Sequence, residues 1–488
     1  MQPWPRSWAR LRPTLYLLGL AFQVLGLLQA AFGLLAWSLG ENPRGFALGA
    51  LAGVALGWLL GRLGRPEGRP GRAEVFLSVA LLWLALPLLG ALPFWFSGGL
   101  SPLDALFESF SGYTATGATV LEDFAAFGPV LFLYRAFIQW LGGVGIVVVF
   151  LAVFPQLGFA GRQVFAAEVT GVEKEALTPR VRQTARLVLR AYLLLSASAF
   201  LLYWAAGMTP YEALAHALTT ASAAGFSPRE ESFAAYTPLV QWVATGLMLA
   251  AGANFFLLYR GLLAREPLAL LRDLEFRAYL GVFAAVGLGV AGLLLLHGTY
   301  PPLEALRHAL FQTASLLTTT GYASADYAAW PVAAQVLLVL LFFVGGSAGS
   351  AAGGIKVVRW LILFAFLRRE VVRTLHPQAV VPVRLGGRVL SDEVLRQVSL
   401  FVFLYTLAFA FGAVAVGLLE GDFVVAFSAS AQAIGNIGPG LGAVGPMASY
   451  ADLHPLSKGV LILQMWAGRI EILPVVLLFS PELWRRLR

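Results

Sequence analysis

Thr114-Ala115-Thr116-Gly117-Ala118-Thr119-Val120, a glycine among small and hydroxylated residues at the end of a short apolar run, decides how the rest of the chain is read. Three partial echoes follow: Ser222-Ala223-Ala224-Gly225-Phe226-Ser227, Thr318-Thr319-Thr320-Gly321-Tyr322-Ala323-Ser324 and Gly435-Asn436-Ile437-Gly438-Pro439-Gly440. The register continues upstream. Thirteen, twelve and eleven residues before each glycine lie Asp104-Ala105-Leu106, Glu212-Ala213-Leu214, His308-Ala309-Leu310 and Val425-Ala426-Phe427. Ser101-Pro102, Thr209-Pro210 and Pro301-Pro302 stand just ahead of the first three runs, the first two pairing an N-cap residue with a proline suited to the first turn. Each unit predicts a helix of roughly three turns followed by an extended glycine segment. The glycines recur at intervals of 108, 96 and 117 residues, the scale of whole structural repeats and far above solenoid periods.

The surroundings of these units are apolar. Hydrophobic residues make up 59% of the chain, charged residues 12%, and mean hydropathy is +0.77, against about 25% charged in soluble domains. Runs near the length of about 20 residues that crosses a bilayer fall at 14–39, 45–63, 74–96, 129–155, 187–206, 238–259, 278–297, 331–367, 398–419 and 459–480. Ten spans and four shorter runs are therefore expected. Arg6, Arg10 and Arg12 precede a long first span with no small-residue cleavage site, which predicts an uncleaved anchor. Cysteine is absent, so disulfide and thiol chemistry are excluded and the redox compartment is left open.

Net charge is +8, and 26 of the 34 Lys and Arg lie at the N-terminus, in the connections 62–72, 162–190, 260–277 and 368–396, and in Trp484-Arg485-Arg486-Leu487-Arg488. The positive-inside rule puts these segments and both termini in the cytoplasm, as for a multi-pass protein of the plasma (inner) membrane. Glu108, Glu122, Asp123, Glu230, Glu231, Asp326, Asp422 and Asp452 fall with the short runs on the opposite side. Nucleic-acid binding is disfavoured, because the basic residues are dispersed between spans without an aromatic stacking platform.

The expected fold is an all-α membrane protein: a two-span hairpin (1–72), then four repeats of span, pore helix, glycine loop and span (73–160, 161–265, 266–392 and 393–488) around a central pore. A short helix that stops within the bilayer leaves backbone groups that are tolerated only where they are buried in protein or line water. Four of them can face one axis, so that their carbonyls become ligands for an ion, as in potassium pores. Glycine admits the positive φ this requires, and helix C-termini pointing inward favour a cation.

On these residues the chain resembles the Trk/Ktr/HKT superfamily of potassium transporters, most of all the membrane subunit of bacterial Trk-type systems. The resemblance covers about 74–480 and rests on Thr114–Thr119, Gln139-Trp140-Leu141-Gly142-Gly143-Val144-Gly145, Thr318–Gly321, Asn436-Ile437-Gly438-Pro439-Gly440 and Gly468-Arg469-Ile470-Glu471. It implies potassium uptake through a filter formed by Thr116, Gly117, Ala224, Gly225, Thr320, Gly321, Ile437 and Gly438. Gly435 competes with Gly438 in the irregular fourth loop; Gly438 preserves the upstream register. The second loop lacks threonines beside its glycine, so only its main chain would contribute. Glycine at 117, where the sodium-permeable branch carries serine, favours potassium.

The resemblance further implies a homodimer, a cytoplasmic regulatory ring of Rossmann-like, nucleotide-binding subunits (TrkA-type) docking on 162–190 and 368–396, no cofactor in this chain, and K+ as permeant ion. It also implies a gate. The run 331–367 is too long for one crossing, and its middle, Gly345-Gly346-Ser347-Ala348-Gly349-Ser350-Ala351-Ala352-Gly353-Gly354, holds five glycines, each weakening a helix by roughly 1 kcal/mol relative to alanine. Gly345, Gly346, Ser347, Ala348, Gly349, Gly353 and Gly354 are the expected gating loop. Gly345, Gly349 and Gly353 also match the spacing of a close helix seam, and Gly345–Gly349 formally matches a hydrolase G-x-S-x-G without its strand-turn-helix context.

Arg469 lies inside the last apolar run, where a charge faces a cavity or a partner; the resemblance places it in the permeation path below the filter. Lys356 is a candidate for holding the gate, Arg135 for a structural role, and Asp104 and Glu212 for stabilising pore-helix N-termini. A secondary transporter with a midplane site of broken helices is the alternative, and it would favour inverted two-fold repeats.

Overall fold

The computed structural model describes residues 6–64, 72–157, 177–264 and 266–487. Helices Arg6–Ser38 and Arg44–Leu63 form the N-terminal hairpin. Their backbones approach so closely that a Cβ on Gly26 or Gly53 would fall within 3.0 Å of the facing helix, the small-residue contact expected where neither helix gains from leaving water. The hairpin is tied to the rest through Gln29, whose amide donates to Leu89 O (3.3 Å) and Tyr134 Oη (3.0 Å).

Four units follow. Each has a long first helix (Arg72–Gly90, Leu177–Ala205, Leu274–Leu296, Asp392–Glu420), a short buried helix (Pro102–Tyr113, Pro210–Ala221, Pro302–Leu317, Phe423–Gly435) and a second span beginning at Pro129, Pro238, Val332 or Pro455. The short helices start where the caps say they should. Ser101 accepts from Asp104 N, Thr209 and Glu212 form a reciprocal capping box, and Asp422 accepts from Val424 N and Val425 N, while Pro301 starts its helix with no side-chain cap. Strand is confined, among the described residues, to a two-residue hairpin, Arg384–Leu385 with Arg388–Val389.

Six helices are long and apolar enough to cross a membrane among the described residues: 11–38, 44–63, 73–96, 185–205, 274–296 and 392–420. Pro129–Leu157 is a seventh unbroken helix. Of the other three runs, 331–367 shows the interruption expected of it, whereas 238–259 and 459–480, expected as simple spans, need correction. The run 238–259 bends by 110° between Pro238–Ala251 and Phe255–Gly261, because Asn254 leaves the first helix and caps the second through Phe256 N and Leu257 N. The run 331–367 is interrupted between Phe343 and Val357. The run 459–480 breaks after Arg469, where Glu471 and Ile472 take φ of 63° and 59°.

Candidate functional site

The four short helices end alike. Each terminates in a residue of left-handed conformation, Ala115, Ala223, Thr319 and Asn436, with φ between 51° and 56°. The following amide bonds five residues back: Thr116 N to Ser111 O (2.8 Å), Ala224 N to Thr219 O (3.0 Å), Thr320 N to Ser315 O (2.8 Å) and Ile437 N to Gln432 O (3.0 Å). With the bonds from Ala115, Ala223, Thr319 and Asn436 N to the carbonyls three residues back, these are four Schellman closures. Only Asn436 is of a type that adopts this region readily; the other three are held there by the closure.

Two residues on, Gly117, Gly225, Gly321 and Gly438 take φ of 87°, 78°, 83° and 107°. Their neighbours define the arrangement. A Cβ built on Gly117 would fall less than 3.0 Å from Ala224 O, one on Gly225 from Thr320 O, one on Gly321 from Ile437 O and one on Gly438 from Thr116 O. The contacts run from the first loop to the second, third and fourth and back to the first, so the eight residues close a ring. Gly438, rather than the helical Gly435, occupies the fourth position. All four glycines line one side of a cavity of about 260 Å³ whose wall also holds Glu122, Arg229, Glu230 and Tyr450.

Side chains from neighbouring elements fix the ring. The second loop, which has no threonine of its own, is clasped by Gln139 of Pro129–Leu157: its amide donates to Ala224 O (2.7 Å) and its carbonyl accepts from Phe226 N (3.1 Å). In the fourth loop, Gln432 Oε1 accepts from Gly438 N (3.2 Å) and Tyr450 Oη donates to Gly438 O (2.9 Å). Asn436 Nδ2 donates to Thr116 Oγ1 (3.0 Å) and Met465 O (2.9 Å), joining the last repeat to the first. Thr114 with Thr116, and Thr318 with Thr320, pair hydroxyls at 2.7 Å. Glu108 is fully buried, unlike the external acids it was grouped with; it pairs with Arg135 and accepts from Val120 N (3.1 Å). Arg135 thus has a structural contact, while Asp104 pairs with Lys458 (2.6 Å). Glu212 holds Arg229, which its hydrogen bond and charge keep above the ordinary arginine value.

On the other face of the ring lies the glycine-rich segment. Residues 344–356 are not helical, so the close-seam reading of Gly345, Gly349 and Gly353 does not hold. Gly349 and Gly354 have positive φ (75° and 66°). Gly353 N donates to Thr319 Oγ1 (2.7 Å), and a Cβ at Gly353 would overlap Gly435 O, which brings the loop against the ends of the third and fourth short helices. Ser347 N donates to Gly252 O (2.8 Å) and Phe255 N to Gly349 O (3.1 Å), stitching it to the bend of the second repeat. Gly345 N donates to Ile355 O and Val357 N to Gly346 O. Arg469, 2% exposed, donates to Ala351 O (3.0 Å) and Gly142 O (3.2 Å). Lys356 donates to Ala352 O, and Arg359 pairs with Glu471 and stacks over Phe401.

The sequence reading missed Gln432, Tyr450, Asn254 and Glu275, and it quoted Gln139 without a role. For Gln139, Asn254 and Gln432 the signal was a polar side chain within an apolar run, which in a membrane protein marks a partner or a pathway; Tyr450 and Glu275 lie outside such runs.

Re-entrant helices, a closed ring of backbone oxygens and an apolar perimeter together define a multi-pass membrane transport protein. The profile of the family described as "TrkH: Cation transport protein" matches residues 67–486. The chain belongs to that family, whose members are transporters and not enzymes. It is 36% identical to the Trk system potassium uptake protein TrkH of Salmonella typhimurium, covering 91% of this chain and 92% of that one. It is 37% identical to TrkH of Halomonas elongata, covering 90% and 92%. Its fold superposes on the crystal structure of the potassium transporter TrkH from Vibrio parahaemolyticus with a TM-score of 0.88 at 33% identity, covering 97% of this chain and 99% of that one.

Proposed function

We propose that this chain takes up potassium through the ring, with Thr116, Gly117, Ala224, Gly225, Thr320, Gly321, Ile437 and Gly438 as the selectivity filter. The observation that carries the reading is the cyclic contact of each glycine with the carbonyl oxygen ahead of the next. Peptide oxygens gathered in this way replace the hydration shell of a monovalent cation, and the four helix C-termini add partial negative charge. The names of the relatives, potassium uptake proteins of Trk systems, support potassium as the ion.

The loop containing Gly345, Gly346, Ser347, Ala348, Gly349, Gly353 and Gly354 is the gate. Arg469, bonded to it and to Gly142, puts a positive charge beneath the filter. A Trk system implies further components: a cytoplasmic nucleotide-binding subunit docking on 368–396 and 162–190, of which 162–176 lie outside the described residues, and a second copy of this chain. The membrane is the plasma (inner) membrane, with both termini in the cytoplasm.

The test is rubidium uptake by the purified chain in liposomes, in competition with sodium. Gly117→Ser and Gly321→Ala are expected to lower selectivity for rubidium while the protein still inserts. Unchanged rubidium flux with unchanged exclusion of sodium would remove the filter assignment.

A further inference from the structure

The glycine-rich loop is fastened from a neighbouring helix by one carboxylate. Glu275, the second residue of Leu274–Leu296, is 7% exposed. Its Oε1 accepts from Ala348 N (2.7 Å) and from Val358 N (3.2 Å). The first amide belongs to the loop and the second to the opening turn of Val357–Leu375, whose N-cap residue Lys356 makes no side-chain cap. A single oxygen therefore joins the loop to the helix that follows it, and it occupies the positive end of that helix, where an anion is stabilised.

Other contacts hold the loop less selectively. Its bonds to the second repeat, Ser347 N to Gly252 O (2.8 Å), Phe255 N to Gly349 O (3.1 Å) and Ala351 N to Ala251 O (3.4 Å), join neutral backbone groups. Lys356 reaches Ala352 O from within the segment itself. Arg469 grips Ala351 O from the fourth repeat. Glu275, like Arg469, puts an ionisable side chain on the loop, and its one oxygen alone spans from the loop to the helix that follows it.

We propose that Glu275 is the latch of the loop: its carboxylate keeps residues 345–354 beneath the ring, and release of the Ala348 amide frees them while the Val358 bond remains as the hinge. Glu275 is thus a positioning residue, and the proposal rests on reading the loop as the gate.

The turn geometry supplies a clean test. Ser350 N donates to Ser347 O (3.3 Å) and Gly349 has φ of 75°, a type II turn in which Ala348 holds the position that favours proline. Ala348→Pro removes one N–H donor, keeps the turn and leaves Glu275 on Val358. Because the chain has no cysteine, Ala351→Cys at a fully buried position provides a unique thiol that reports loop release by labelling.

In liposomes containing the full chain, Ala348→Pro and Glu275→Ala, which both lose the bond to residue 348, are each expected to raise basal rubidium uptake about tenfold, the weight of one buried hydrogen bond. Combined with Ala351→Cys, both should also turn the introduced thiol from protected to labelled. Ala348→Pro carries the test where Glu275→Ala fails to fold. Parental flux with that thiol still protected in Ala348→Pro overturns the latch. Labelling without a rise in flux upholds the latch and overturns the gate reading beneath it.

Discussion

At the level of the ring each repeat supplies the same three-residue device: a left-handed residue closing a helix, one residue whose carbonyl meets the glycine of the preceding repeat, and a left-handed glycine lying against the next repeat. Beneath it the second spans follow four courses. Pro129–Leu157 runs unbroken past Gly142 and Gly143, Pro238–Ala251 turns through 110°, the third opens into residues 344–356, and the fourth stops after Arg469. The difference follows from the tasks proposed for the two levels. A spherical ion stripped of water needs equivalent oxygens on all sides, so departures in the ring are costly. Blocking a passage needs only one obstruction, so the level below is free to place its loop and its arginine in single repeats.

The largest effect should come from breaking the ring where it is tightest. Gly225→Ala puts a Cβ against Thr320 O at φ of 78°, and backbone strain of this kind costs about 3 kcal/mol, about two powers of ten in rate. Rubidium uptake should fall by about a hundredfold, whereas Gly281→Ala, with open space around its Cβ in a span, should leave uptake at the parental level. Equal behaviour of the two variants would mean that the ring is not the path.

The level below is tested by Arg469→Gln. Removing a full charge from a poorly solvated passage is expected to raise initial rubidium uptake about tenfold, since a unit charge about 10 Å away is worth about 1.7 kcal/mol at an effective dielectric of about 20. Unchanged uptake would make Arg469 a tie between Ala351 and Gly142 and nothing more. Gln139→Leu, which removes both bonds to the second loop, should cost about 1–3 kcal/mol locally. Its mark is a several-fold lower preference for rubidium over sodium, with uptake itself reduced less than in Gly225→Ala.

The repeated device was legible because it is local. Glycine register, small residues before each glycine and proline-led caps are written in consecutive residues, and the shared interval carried the helices with them. The αL residues Ala115, Ala223 and Thr319 were not legible, because alanine and threonine carry no preference for that region and take it only when the helix end is closed around them. The break in 331–367 showed in its five glycines. The bends at Gly252–Asn254 and after Arg469 did not, since their runs have ordinary span lengths and the contacts that accompany the bends, Asn254 capping its own following turn and Arg359 pairing with Glu471, appear only once the chain is folded. Glu275 stood at the edge of an apolar run, where a carboxylate reads as a helix-end residue until the loop it holds is placed beside it.

The smallest effects compare the starts of the short helices, which differ where their ends agree. Thr209 and Pro301 share nearly the same backbone conformation, φ −61°, ψ 153° and φ −58°, ψ 157°, yet Thr209 caps its helix and Pro301 makes no side-chain cap. Thr209→Ala should lose about 1 kcal/mol, seen as a melting temperature lower by about 2 °C. Pro301→Ser gains a cap worth about 1 kcal/mol but gives back about 0.4–1 kcal/mol as the unfolded chain recovers the freedom proline had removed. The two terms nearly cancel, so its melting temperature should match the parent. A clear rise would show that capping dominates at the membrane surface, and a clear fall that proline's restriction of the unfolded chain does.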